Sequence, residues 1–190
     1  MKIRVANLLP IVLMMFLAAL TLWLSIYLET PATARSSQSR HDPDAIIDNF
    51  TATRLDEHGV PKYTLAADRM RHFANDDSTE LEAPKVIKRG EGPTVTITAD
   101  HGTVTHDGEE AFFHGNVLVV RAASPEREEL RVRTDYLHVL PEKNIARTDQ
   151  AVTITEGRSE LSGVGMEYDE NTSRFALYSR VRGRFDQAGK

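Results

Sequence analysis

Three consecutive stretches of the chain follow one plan. Val95–Ala122, Leu130–Gly157 and Ser159–Asp186 align without a gap, placing Ile97 with Val132 and Leu161, Val104 with Val139 and Tyr168, Ala111 with Ala146 and Phe175, and Val117 with Val152 and Val181. A looser copy precedes them: Leu65-Ala66-Ala67-Asp68 resembles Ile97-Thr98-Ala99-Asp100, and Ala83-Pro84-Lys85-Val86 stands, shifted by one residue, where Gly115-Asn116-Val117 stands later. A period of about 30 residues marks a repeat architecture, in which neighbouring units bury one another's apolar faces. Each unit reads as an alternating strand, a second strand, a polar turn and a third strand. The repeated module is therefore all-β. A stack of such meanders makes a long uniform trough, whereas a catalytic pocket needs one asymmetric constellation.

The alternation is plainest in Thr94-Val95-Thr96-Ile97-Thr98-Ala99, where Val95, Ile97 and Ala99 face one way and the threonines the other, as in a half-buried strand. His106-Asp107-Gly108 carries the Asp-Gly hairpin signal, and Asp169-Glu170-Asn171 occupies the matching place in the third unit. Phe112–Val120 is apolar at Phe112, Phe113, Val117, Leu118, Val119 and Val120, which suits a strand covered on both sides at one end. Upstream, Ile46–Thr53 predicts a first strand, and His58-Gly59-Val60-Pro61 turns it into Tyr63-Thr64-Leu65-Ala66.

A chain of 190 residues has room for one domain and an appendage. Its net charge of −5 argues against a nucleic-acid partner, and the absence of cysteine excludes a disulfide framework or a thiolate metal site. The appendage is N-terminal. Val5–Leu28 is apolar except for Asn7, Pro10, Thr21 and Ser25, long enough for a membrane-spanning helix, with Lys2 and Arg4 before it and Glu29 after. The positive-inside rule leaves the N-terminus in the cytoplasm. Ala32-Thr33-Ala34 has the small-x-small form of a signal-peptide cleavage site, but the apolar run exceeds the usual h-region of about 7–15 residues. The expected organisation is a cytoplasmic tip over 1–4, a transmembrane helix over 5–28, a periplasmic tether over 29–45, a β-domain over 46–186 and a tail over 187–190.

One span, a tether and a β-repeat domain together resemble the LptC family of lipopolysaccharide export components, built on OstA-like β-repeats. The local carriers are Gly59-Val60-Pro61-Lys62-Tyr63-Thr64-Leu65-Ala66-Ala67, Leu81-Glu82-Ala83-Pro84, Phe113-His114-Gly115-Asn116-Val117, Ser162-Gly163-Val164 and Arg180-Val181-Arg182. The resemblance implies a twisted two-sheet antiparallel open β-jellyroll on a single inner-membrane helix, holding the acyl chains of lipopolysaccharide between its sheets. It also implies docking to the LptB/LptF/LptG ABC transporter on one side and to soluble LptA on the other, with no enzyme activity and no cofactor. An open sheet edge is a template for another strand, which suits such a bridge.

Candidate trough residues are Phe50, Leu65, Leu81, Val86, Ile97, Phe113, Val117, Val119, Val132, Val152 and Ile154. Each could equally fill a closed core. The resemblance favours a lipid role for Phe50, Leu81 and Phe113. Gly115, Gly157 and Gly163 fit turns or bulges needing positive φ, and the resemblance implies a functional glycine near the last two. Asp68, Asp100 and Asp135 recur at one repeat position, which points to backbone hydrogen bonding rather than acid/base chemistry. His101, His106 and His114 come nearest to a metal cluster, but no complete ligand set accompanies them. Gly157-Arg158-Ser159-Glu160-Leu161 lacks the closing glycine of a nucleophile elbow. The C-terminal edge, with Phe175, Arg180, Val181, Arg182 and Phe185, is where the resemblance implies LptA pairing, with Val181 in mid-ladder. Arg180, Arg182 and Arg184 alternate there along one expected strand face. A protein-only membrane-anchored scaffold, and a glycan hydrolase with two carboxylates outside the repeats, are the rival functions.

Overall fold

The computed structural model describes residues 9–28, 42–90, 92–105, 108–125 and 127–185. The chain divides into two compact units, Met1–Arg40 and His41–Lys190. In the first, α1 runs over Leu9–Leu28, and the side chains described on it, residues 14–25, are exposed. Among the described residues no helix is long and apolar enough to cross a membrane. The expected transmembrane helix is therefore not shown, and residues 5–8 and the tether over 29–41 lie outside the described residues.

The second unit is antiparallel throughout. Its strands are β1 (Ala45–Leu55), β2 (Pro61–Phe73), β3 (Ser78–Glu82), β4 (Lys85–Lys88), β5 (Val95–Thr98), β6 (His101–Thr105), β7 (Glu110–Arg121), β8 (Leu130–Leu140), β9 (Ile145–Glu156), β10 (Ser159–Asp169) and β11 (Arg174–Arg184). Asp56 makes the first turn, its Oδ1 accepting from the backbone N–H groups of His58 and Val60 at 2.8 and 2.9 Å. The hairpin expected at His106-Asp107-Gly108 falls partly outside the described residues, because His106 and Asp107 do. The Asp169-Glu170-Asn171 turn is present between β10 and β11.

All eleven strands join one hydrogen-bonded sheet in the order β11-β10-β9-β8-β7-β5-β4-β2-β3-β6, with β1 on the other edge of β2 and β6 also paired to β7. The long strands β2 and β7 each take two short partners on one edge. β4 lies beside Tyr63–Ala66 of β2 and β3 beside Arg69–Phe73. β5 lies beside Leu118–Arg121 of β7 and β6 beside Glu110–His114.

A line of bends crosses the sheet where the short strands divide. Ala83, Gly115, Asn116, Gly165 and Arg180 lie on it with φ of 49, 74, 47, 76 and 50°, and Asn49 of β1 has φ 54°. Pro84 has no N–H to extend the ladder, and the backbone repairs itself sideways: Ala83 N donates to Asp100 O at 2.8 Å and Asp100 N to Gly115 O at 2.9 Å. Register shifts fall between His114 and Val117 of β7, Thr134 and His138 of β8, and Val164 and Met166 of β10. Such bulges bend a strand and increase its twist. On one side of the line lie Val117, Val132, Val152 and Ile154, on the other Phe113, Leu137 and Met166, and all seven form one buried cluster. The sheet is thus folded onto itself, as in a β-jellyroll.

Two expectations change. The first and second strands of a repeat unit are one long strand crossing the bend, as in β8 and β10, so each later unit is a bent hairpin. The two sheets of the expected jellyroll are two halves of a single continuous sheet. The reason is the same in both cases: a bulge interrupts alternation without ending the hydrogen-bond ladder.

Gly115 combines a φ of +74° with a close neighbour, since an added Cβ would lie 2.6 Å from Asp100 Oδ2. Gly115→Ala should lower stability by about 1–3 kcal/mol in urea unfolding. Gly90→Ala, with nothing within 4 Å of the added carbon, should change it by less than about 0.5 kcal/mol.

Candidate functional site: the apolar interior and the open edges

The interior is built by alternation on either side of the bend. Phe113 of β7 pairs with Leu137 of β8, Val119 with Val132, and Val132 in turn with Ile154. Of the predicted trough residues, Phe113, Val117, Val132, Val152 and Ile154 come together in the buried cluster, with Val86, Ile97 and Val119 packed against it. Leu81 is fully buried beside Gly102 and outside that cluster. Leu65 stands half-buried opposite Val86, and Phe50 half-buried opposite Ala67 on β1. Sequence reasoning missed Leu137 and Met166, because the bulges in β8 and β10 reverse the parity that places them inside.

Polar groups line the bend. Asp100 Oδ2 accepts from the side chain of Asn116, Nδ2 at 2.8 Å, which ties this aspartate to the bulge of β7. An open depression of about 410 Å³ lies here, lined by Asn116, Arg133 and Asp135 among others. Beyond it, His138 is buried, stacked on Phe112 with centroids 4.4 Å apart. Its Nδ1 accepts from Arg147 Nε at 3.0 Å, so Nε2 carries the proton donated to Glu110 Oε2 at 3.1 Å. His101 stands opposite His114 in the ladder, and His106 lies outside the described residues. Among the described residues no group of three His, Asp or Glu could hold a metal ion.

Among the described residues the end strands each pair on one edge only, β1 with β2 and β11 with β10. Both display apolar side chains: Ile46, Ile47 and Leu55 on β1, and Phe175, Tyr178 and Val181 on β11, with Phe185 just after it, are exposed. Arg69 Nε on β2 holds β1 by donating to Asp48 Oδ1 at 2.7 Å, and this bond raises the Arg69 pKa above its ordinary value. The C-terminal edge differs from expectation. Between Ser162 and Val164 the register of β11 slips at the positive-φ Arg180, so Val181 sits in a bulge rather than in mid-ladder, and the alternation of Arg180 with Arg182 and Arg184 is interrupted. Gly157 has positive φ, and its added Cβ would overlap the Glu128 carboxylate. Gly163 does not have positive φ; Gly165 does. Gly163 instead lets β11 approach, an added Cβ lying 3.1 Å from Ser179 O.

Apolar interior, line of bulges and unpaired end strands define a class: an open-edged β-jellyroll built from bent antiparallel repeats. The sequence profile of the LptC-related lipopolysaccharide-assembly family matches residues 11–186. The chain belongs to that family, and so to lipopolysaccharide transport. The fold recurs in the crystal structure of LptH, the LptA-homologous periplasmic component of the lipopolysaccharide transport device of Pseudomonas aeruginosa. The two share 11% sequence identity at a TM-score of 0.55, over 66% of this chain and 95% of that one. No curated protein sequence matches the chain.

Phe113→Ala removes a side chain from the centre of the cluster and should cost about 3–5 kcal/mol in urea unfolding. Phe185→Ala, at a residue 75% exposed, should cost less than about 0.5 kcal/mol. A second expectation concerns the turn before β11, where Asp169 accepts from the Thr172 hydroxyl at 2.9 Å and from the Asn171 N–H at 2.9 Å. These bonds, that of the Thr172 hydroxyl first, lower the Asp169 pKa. Their stabilisation is present above the unfolded carboxyl pKa and lost as pH falls through the folded one. Thr172→Val should raise the Asp169 pKa in an NMR titration.

Proposed function

We propose that the chain is a non-enzymatic relay anchored in the inner membrane. It receives lipopolysaccharide from the LptB/LptF/LptG transporter into its apolar interior and passes it to periplasmic LptA. The anchor reading rests on the apolar sequence Val5–Leu28 and on Lys2 and Arg4, and it places the β-domain in the periplasm. Acyl chains need dry, aliphatic surroundings and no dedicated chemistry, and the aliphatic inner faces of the repeats supply such side chains. Phe50, Leu65, Leu81, Val86, Ile97, Phe113, Val117, Val119, Val132, Val152 and Ile154 are its proposed lining. Energy for extraction comes from the partner ATPase.

The observation that carries this reading is the pair of unsealed edges on a folded-over sheet. Backbone N–H and C=O groups along the outer side of β11 can accept a strand, and Phe175, Val181 and Phe185 offer exposed side chains to set its register. LptA is the proposed occupant of that edge, with Arg180 and Arg182 flanking it.

The test uses the full chain purified from membranes into nanodiscs. Mass spectrometry should find bound lipopolysaccharide on the parent. Removing residues 180–190 should reduce capture of LptA by about tenfold or more while leaving membrane insertion intact. A truncated, folded chain that captures LptA as well as the parent does would place the bridge elsewhere, and a parent that never carries lipopolysaccharide would leave only the scaffold function.

A further inference from the structure

Lys88 ends β4 two residues beyond Val86, which packs against the buried cluster. Strand side chains alternate between faces, so Lys88 stands on the inner face, at the end of the strand away from the bend. Its Nζ donates to Glu170 Oε2 in the turn after β10. Along the sheet β4 and β10 are separated by β5, β7, β8 and β9. Five steps of about 4.8 Å would hold them about 24 Å apart if the sheet were flat. Lys88 and Glu170 also lie on opposite sides of the line of bends. The contact therefore spans the opening between the two halves. The ion pairs Arg69–Asp48, Arg71–Glu82 and Arg121–Glu156, and the His138–Glu110 hydrogen bond, join strands that are neighbours or next but one.

The carboxylate end of this bridge is fixed. Glu170 N donates to Asn144 O at 3.0 Å, Asn144 Nδ2 to Asn171 Oδ1 at 3.0 Å, and Asn171 Nδ2 to Lys143 O at 2.8 Å, stitching the β8–β9 and β10–β11 turns together. The ammonium end is a compact charge on a flexible stem. Leu137, Val117 and Val152 are fully buried against one another's cluster, so acyl chains can take up the interior only if the halves part at this opening. A charged headgroup cannot follow them inside without a large desolvation cost. It stays at the opening, where Lys88 stands.

We infer that Lys88 exchanges partners there: Glu170 while the opening is closed, and a phosphate group of lipopolysaccharide once acyl chains occupy the interior. This rests on the transport function proposed above. Replacing a carboxylate by a phosphate keeps a charge-assisted hydrogen bond to the ammonium throughout.

The two halves of one ion pair then have opposite effects on binding. In nanodiscs, with fluorescent lipopolysaccharide as the probe, Glu170→Gln should tighten binding by up to about fivefold, the most that an exposed pair of this kind resists. Lys88→Gln should weaken binding by about fivefold or more, and Lys88→Arg should restore it. Enzymatically dephosphorylated lipopolysaccharide should abolish the difference between parent and Lys88→Gln. If Glu170→Gln and Lys88→Gln shift affinity in the same direction, the pair is only a clasp and the exchange is wrong. The same conclusion follows if Lys88→Gln binds as the parent does. A parent that fails to bind the probe overturns the transport function and the exchange with it.

Discussion

Everything in the β-domain depends on the line of bends. An eleven-stranded sheet of strands up to thirteen residues long would, if flat, expose an apolar face along its whole length. Bulges at matching positions of successive strands let that face fold onto itself without giving up the hydrogen-bond ladder. The hydrophobic cluster and the bend stabilise each other: Phe113 and Leu137 reach Val117 and Val152 only because Gly115, Asn116 and Gly165 adopt left-handed backbone between or beside them. Loosening either would loosen both.

The same geometry separates two kinds of surface. Inside, burial is driven by aliphatic contact between side chains. At the ends of the sheet, unpaired backbone on β1 and β11 offers directional hydrogen bonds that can specify a protein partner. The buried aliphatic cluster and the open edges therefore lie on different strands, β7 to β10 carrying the first and β1 and β11 the second.

The fold class was legible because the repeat preserves parity within each half-strand: Ile97, Val132 and Leu161 all pack on the core, as their alignment requires. Of the recurring aspartates, Asp100 holds the bulge through the side chain of Asn116, a contact the expected backbone hydrogen bonding did not anticipate. What could not be read is what happens where parity reverses. Leu137 and Met166 fall on the wrong alternation for their neighbours until a bulge is inserted; no residue type announces the one at Asp135, whereas Gly165, with φ 76°, marks the one after Val164. Arg180 is a harder case, a non-glycine residue with positive φ whose conformation comes from tertiary pairing rather than from local preference. Lys88 and Glu170, 82 residues apart in sequence, carry no local signal of their contact.

The mode of attachment of β1 has a dynamic consequence. It is held by a single neighbour, most of its side chains are exposed, and its side-chain tie is the Asp48–Arg69 pair, itself exposed. Local stability in a sheet follows the number of buried contacts each strand makes, so amide hydrogen exchange should proceed from β1 inward, ahead of β8 and β9. Release of β1 would not end the sheet; it would transfer the free edge to β2, a strand with buried Ala67 and Phe73 and a fully ordered ladder on its other side. An incoming strand that displaced β1 would thus meet a ladder already fixed by β3 and β4 on its far side.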